Sequence, residues 1–285
     1  MYTVSDILRT LELKQLKSCI FEGSSFKTPW GRVYGGQALA QALEAAYQTV
    51  PVDRFCHSLH GYFILAGKHD LPIRYEVDTI RDGGSFTTRR VVAKQGDNAI
   101  FNLSASFTTN RAGFEHQFDI PESVGPDNLI NDAEYNLKYK ESHPEIYNRM
   151  NYVWPIEFKR HKHTDLVNPQ NSEPKRSIWT KIKGDIPSDI RKQHILLTFI
   201  SDYNIMSTGI MPNRKDFSFT EYYMTSLDHA MWFHRDFDLK DWVLYDLDSP
   251  SSFGGRTLGR GTYYDRTGRL IASVAQEGLI IKLKK

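Results

Sequence analysis

At 285 residues the chain is long enough for about two domains and can bury a full core. Its composition, 40% hydrophobic and 25% charged, is that of a globular protein and excludes a low-complexity or disordered chain. A formal net charge of +2 is too mild to argue for nucleic acid as a partner, and two cysteines, Cys19 and Cys56, offer neither a disulfide framework nor a zinc ribbon, so a reducing cytoplasm is the expected compartment.

From the N-terminus, the first residues lack a basic region followed by an apolar run. They are expected to form a short amphipathic helix capped by Ser5, with Ile7, Leu8, Leu11 and Leu13 on or near one face. Gly35-Gly36 opens a run over 37–50 carrying Ala38, Leu39, Ala42, Leu43, Ala45 and Ala46, which predicts a helix that packs closely on a sheet and stops at Pro51. Strands are expected over 57–65, 73–81, 85–95 and 99–108, with hairpin turns at 82–84 and 96–98. A long helix followed by antiparallel strands is an α+β pattern, with the helix on one sheet face.

From about 110 to 177 the periodicity weakens, charge rises and prolines scatter; 132–143 reads as a helix and 168–174 as loop. The pattern then returns as a strand over 178–183, a helix over 190–208, and strands over 221–233, 242–247, 255–264 and 271–283. The expected division is an N-terminal module 1–110, a connector 111–176 and a C-terminal module 177–285 carrying the active site. No apolar run approaches the length of a membrane span, so no membrane insertion is expected.

The two modules read as copies of one another. Ser58-Leu59-His60-Gly61-Tyr62-Phe63 matches Ser226-Leu227-Asp228-His229-Ala230-Met231, Arg90 aligns with Arg260, and the run from Ile100 to Ser106 aligns with the run from Leu270 to Gln276. Only the second copy holds a plausible catalytic polar set, because Ser106 stands in the first copy where Gln276 stands in the second. A duplicated fold that pairs with itself is a pseudo-dimer in one chain, free to lose one of its two sites.

Several blocks carry a resemblance to a known family: Gly31-Arg32-Val33-Tyr34-Gly35-Gly36-Gln37, His57 through Phe63, Arg81 through Arg89, Ser201-Asp202-Tyr203-Asn204, Ser226 through His234, and Ala275-Gln276-Glu277-Gly278. In this order they make the chain resemble a TesB-type (type II) acyl-CoA thioesterase, a double-hotdog protein. The resemblance implies two helix-wrapped antiparallel sheets joined edge to edge and an acyl-CoA substrate cleaved to coenzyme A and a free acid. It also implies no metal or redox cofactor, and assembly into a homo-oligomer. By position it carries the family's catalytic aspartate onto Asp202, its hydroxyl residue onto Ser226 and its glutamine onto Gln276. The chain departs from the family's commoner wording at Asn204-Ile205-Met206 and Met211-Pro212-Asn213, which bears on chain-length preference more than on chemistry.

Elementary chemistry points the same way. Thioester hydrolysis needs an activated water and stabilisation of the carbonyl oxyanion. Asp202 lies in an apolar stretch, where a half-buried carboxylate suits a general base, and Ser226 and Gln276 lie on strands that offer donors and acceptors to the water. The mechanism expected is direct water attack on medium- to long-chain acyl-CoA, with oxyanion contacts from backbone N–H groups at a helix N-terminus and no acyl-enzyme. Against each residue stands a plain alternative: a packing aspartate, a strand serine, a surface glutamine.

Other constellations are weaker. Ser226, Asp228 and His229 have triad composition, but on one continuous strand His229 faces away from the other two, and no Gly-x-Ser-x-Gly elbow exists. His229 and His234 face opposite sides as metal ligands, and Cys56 diverges from His57. Gly254 through Gly261 lacks the ending of a phosphate loop, and Arg81, Arg89, Arg90, Arg256 and Arg260 either meet coenzyme A phosphates or cover the sheet. A hydratase, or a non-catalytic acyl-CoA-binding scaffold on the same fold, is the competing reading.

Overall fold

One order of elements runs through the chain twice. The computed structural model describes residues 2–28, 31–150 and 154–284. It begins with α1 (Val4–Leu11), β1 (Lys14–Lys17), β2 (Ile20–Gly23) and α2 (Gly35–Tyr47), followed by β3 (Phe55–Phe63), β4 (Ile73–Asp82), β5 (Phe86–Gln95) and β6 (Asn98–Thr108). Short helices α3 (Asp132–Tyr135) and α4 (Pro144–Met150) come next, then β7 (Ile156–Arg160), β8 (Lys175–Ile182), α5 (Ile190–Ser201) and α6 (Ile205–Thr208). The chain closes with β9 (Tyr222–Ser226), β10 (Asp228–Phe233), β11 (Val243–Phe253), β12 (Arg256–Asp265) and β13 (Leu270–Lys282).

All pairings are antiparallel, in the order β1-β2-β4-β5-β6-β3-β10-β13-β12-β11-β8-β7, with β9 added on β13. The order is a mirror about the β3–β10 seam, where Ser58 pairs with Trp232 and Tyr62 with Asp228. Each half therefore has a two-strand edge, a helix and four further strands, as the internal repeat predicts. The two sheets join edge to edge through β3 and β10, the double-hotdog arrangement.

The helices lie inside this sheet. Every residue of α2 from Gly36 to Tyr47 is buried, as is every residue of α5 from Gln193 to Ser201. A helix buried on all sides needs small or apolar side chains, hence the alanines of α2. Its polar residues need partners. The Gln41 amide donates to the Thr10 and Ser24 carbonyls, and its carbonyl accepts from Tyr75 Oη at 2.7 Å. The helices cross antiparallel: Tyr34 Oη donates to the Phe199 carbonyl at 3.0 Å, and Tyr47 Oη lies 2.8 Å from His194 Nδ1.

His194 is 3% exposed and stacks on Phe233, with ring centroids 4.2 Å apart. Burial pulls its pKa down to about 3, so the folded ring is neutral at neutral pH. A depressed histidine contributes stability that is fully present above the unfolded value near 6.5 and lost as the pH falls toward 3. We expect the unfolding free energy to fall by roughly 1.4 kcal/mol per pH unit in that window on this account alone. Urea midpoints of wild type and His194→Phe at several acid pH values check it: the slope of the variant should be shallower by about that amount, and equal slopes would refute it.

Local readings are corrected in four places. Helix α1 is capped by Thr3, not Ser5, through a capping box in which Thr3 Oγ1 accepts from the Asp6 N–H and the Asp6 carboxylate accepts from the Thr3 N–H. The stretch 132–143 breaks into α3 and a 3-10 turn over Asn136–Tyr139. The helix expected over 190–208 ends at Ser201, because Asn204 takes φ +68° and starts α6 in a new direction. The strand expected over 221–233 breaks at Leu227 into β9 and β10. Edge strands β1, β2 and β7 had no alternation strong enough to announce them.

Candidate active site

The three residues singled out from sequence converge. Asp202 is the C-cap of α5, where its carboxylate opposes the negative end of that helix. The conflict is answered from the other repeat: the Gly36 N–H, in the first turn of α2, donates to Asp202 Oδ2 at 2.9 Å. The N-terminal end of α2 thus faces the carboxylate with its positive pole. Asp202 Oδ1 accepts from Gln276 Nε2 at 3.0 Å. The same Gln276 amide donates to Ser226 Oγ at 2.8 Å, and Ser226 Oγ lies 3.4 Å from Asp202 Oδ1. Ser226 is the last residue of β9, and Gln276 lies within β13, whose Gly278 pairs with Ser226.

Gln276 is fully buried and all of its amide groups are committed. A carboxylate only accepts, so the NH2 group must face Asp202 and the carbonyl must face away. Away from Asp202 lies His229 Nδ1, 2.5 Å from Gln276 Oε1. His229 is buried too, and its Nε2 lies 2.9 Å from Ser201 Oγ. Burial pushes the His229 pKa below its usual value, against the pull of Asp202, the Gln276 contact and Asp228. A neutral ring with the proton on Nδ1 satisfies the glutamine. Nε2 then takes the Ser201 proton, which otherwise goes to the Thr198 carbonyl 2.8 Å away.

His229 is the residue that sequence reasoning misplaced. On a continuous strand it faces away from Ser226, but the break at Leu227 resets the alternation. Leu227 donates to the Glu277 carbonyl at 2.9 Å, and the Asp228 carboxylate turns to accept from the Glu277 N–H at 2.7 Å. Asp228 is therefore occupied with backbone, and His229 enters the core behind Gln276. A histidine followed by a continuous apolar run, 230–233, was the available signal, and it does not distinguish a core ring from a positioning one.

Asp202 and Ser226 open on a cavity of about 460 Å³ that both repeats build. Gly35, Phe63, Leu65 and Phe101 come from the first repeat, Met206 and Tyr223 from the second. The assignment of the site to the C-terminal module thus covers its three polar side chains but not its walls or the Gly36 donor. Among the described residues, the first repeat has no matching set. The residue that follows α2, in the place of Asp202, is Gln48, which donates to Glu44. Ser106, opposite Ser58 on β3, is 2.8 Å from His57 Nε2.

The arginines considered for phosphate are mostly engaged. Arg89 is 2% exposed and bonds Thr49 and Asp82, so it holds α2 to the sheet. Arg90 pairs with Asp78, Arg256 with Glu277 and Arg260 with Asp248. Among the described residues, no group of three or more His, Cys, Asp and Glu side chains is placed to hold a metal ion, and no helix is long and apolar enough to cross a membrane.

Comparison with known proteins agrees with this fold. The family model described as acyl-CoA thioesterase matches residues 149–279, and that described as acyl-CoA thioesterase N-terminal domain matches residues 26–108. Acyl-CoA thioesterase 2 of Haemophilus influenzae is 35% identical, covering 97% of this chain and 97% of that protein. Acyl-coenzyme A thioesterase 8 of Homo sapiens is also 35% identical, covering 96% of this chain and 88% of its own. The crystal structure of acyl-CoA thioesterase II TesB2 from Mycobacterium marinum matches with a TM-score of 0.81 at 32% identity, covering 98% of this chain and 99% of that one. Similarity across nearly the whole length of relatives in two domains of life, on the same doubled fold, places this chain in the TesB-type acyl-CoA thioesterase family.

Proposed function

We propose that the protein hydrolyses medium- to long-chain acyl-CoA by direct attack of a water molecule, with Asp202 as general base. The observation that carries this reading is a carboxylate, a hydroxyl and an amide within 3.4 Å of one another, the first two lining a cavity large enough for an organic substrate. In this mechanism a water held by Asp202 Oδ1 and Ser226 Oγ loses its proton to Asp202 as it attacks the thioester carbonyl. Gln276 keeps the two oxygens apart and aligned. The C–S bond then breaks, coenzyme A leaves as the thiol after taking a proton, and the carboxylic acid remains.

The oxyanion needs donors. Gly35, the first residue of α2, lines the cavity, and its N–H has no partner among the described residues, as the first amides of a helix commonly do not. It is our candidate for that role. The apolar walls, with Phe63, Ile64, Leu65 and Phe101, support an aliphatic acyl group. Ile64 and Leu65, 47% and 56% exposed at the rim, support assembly with a second copy, which light scattering checks. The two cysteines are free, which suits a reducing cytoplasm.

The test is thiol release from an acyl-CoA series of increasing chain length, followed by rapid acid quench and mass spectrometry of the protein. Steady release with no acyl adduct is expected. Acyl-CoA binding without release would point to a scaffold, and an adduct on Ser226 would replace water attack by nucleophilic catalysis.

The same reading makes His229 a positioning residue. His229→Phe leaves the Gln276 carbonyl unpaired in the core and frees the amide to turn, so kcat should fall roughly 10- to 100-fold while KM changes little. Glutamine at position 229, which retains a side-chain donor, should recover part of the loss. A His229→Phe enzyme with unchanged kcat would show that Gln276 does not need its orientation held.

A further inference from the structure

Behind the catalytic cavity lies a second, smaller one of about 190 Å³, and it is strongly cationic. The turn from Asn204 to Ser207 separates the two, and both of these residues line both cavities. Arg160, Arg176 and Arg214 line the smaller cavity, against a single carboxylate, Asp132. That carboxylate pairs through Oδ2 with Arg160 at 2.7 Å, and its Oδ1 lies 3.3 Å from His163 Nδ1.

Neither of the remaining two guanidiniums makes an ion pair among the described residues, and Asp132 is the one carboxylate in the lining. Arg176 donates to the Ser207 carbonyl at 3.0 Å, to Ser207 Oγ at 3.3 Å and to Met211 Sδ at 3.2 Å, all neutral acceptors. Arg214 donates only to the Phe217 carbonyl, at 3.3 Å, and sits over the Phe217 ring. His163 Nε2 is buried at the same cavity with no hydrogen-bond partner. Burial and the nearby Arg160, with a smaller push from Arg214, pull the Arg176 pKa down to about 9 against the attraction of Asp132, and it remains a cation at neutral pH.

Withdrawing guanidinium groups from water without a counter-ion is unfavourable, and the cluster is an incomplete ion-pair network. Arginine's planar fork suits a carboxylate or phosphate in two-point contact. The cluster also grips the wall of the reaction site directly, because Arg160 Nη2 donates to Asn204 Oδ1 at 3.0 Å, two residues past Asp202.

We propose that Arg160, Arg176 and Arg214 form a receptor for an anionic oxygen group of the thioester substrate, reached past the Asn204–Ser207 turn. This rests on the thioesterase reading and extends it to substrate selection. Two parts of an acyl-CoA carry such a group: the far end of a dicarboxylic acyl chain, and the phosphates of coenzyme A.

The test uses the full chain and two matched series of CoA thioesters, short to long, one ending in methyl and one in carboxylate. Wild type, Arg176→Met and Arg214→Gln are compared by thiol release, with inhibition by free coenzyme A measured in parallel. Loss of a charge-assisted contact should raise KM about tenfold or more with kcat within about twofold. A rise confined to carboxylate-ended substrates identifies the acyl end as the source. An equal rise for both series, with coenzyme A inhibition weakened to match, identifies the phosphates. If KM for both series stays within about twofold of wild type in either folded variant, the cluster is structural and the proposal is wrong. Arg214 is only half-buried, so Arg214→Gln decides the matter should Arg176→Met fail to fold. If wild type releases no thiol at all, the thioesterase reading has failed separately; calorimetric titration of wild type and Arg214→Gln with free adipate and with free coenzyme A then reads the pocket, and equal binding by both proteins overturns it.

Discussion

Asparagine at position 202 should lower kcat by about 10²- to 10⁴-fold while leaving KM close to wild type. The substitution keeps an oxygen that can accept from the Gly36 N–H, so the contact between α5 and α2 survives. What it removes is the proton acceptor. It also sets an amide NH2 against the Gln276 NH2 or against the Gly36 N–H, and neither donor can accept. Initial rates of thiol release, with a thermal melt to show that the fold is retained, measure the effect. A folded Asp202→Asn enzyme within a few-fold of wild type would remove the general base from the mechanism, whatever the geometry suggests.

Alanine at Gly36 should destabilise the whole protein by about 3 kcal/mol or more, lowering the melting temperature by roughly 10 °C. A Cβ there would lie 2.2 Å from the Phe199 carbonyl oxygen and 2.6 Å from the Tyr34 ring. The first of these atoms is backbone of α5, so the two central helices would have to separate at their crossing. That movement would also draw the Gly36 N–H away from Asp202, so residual folded enzyme should be impaired. Gly84→Ala is the control, because nothing lies within 4 Å of its added Cβ and it should be close to neutral. Differential scanning calorimetry of the two variants against wild type checks both statements, and a Gly36→Ala melting point equal to that of Gly84→Ala would contradict the tight crossing.

These two positions show why the site was only partly legible in the chain. Asp202, Ser226 and Gln276 were singled out because ordered blocks resembled a family, and their separation of 24 and 50 residues says nothing by itself about proximity. Gly36 was visible as half of a Gly-Gly pair opening a helix, yet its contact lies 166 residues away, on Asp202. His229 was set aside on the assumption of an unbroken strand. A period-2 argument holds only while the strand lasts, and the break at Leu227 invalidated it.

Local pattern decided a good deal of the molecule. The alanine-rich run became α2, the Gly-containing turns became hairpins, and the repeated order of elements foretold two similar halves, because each depends on neighbours within a few residues. Tertiary packing alone decided the rest: the β3–β10 seam, the burial of both helices on every side, the union of a donor from one repeat with a carboxylate from the other, and the gathering of three arginines behind the Asn204–Ser207 turn. Those features depend on which distant surfaces meet, and no period in a linear chain records that.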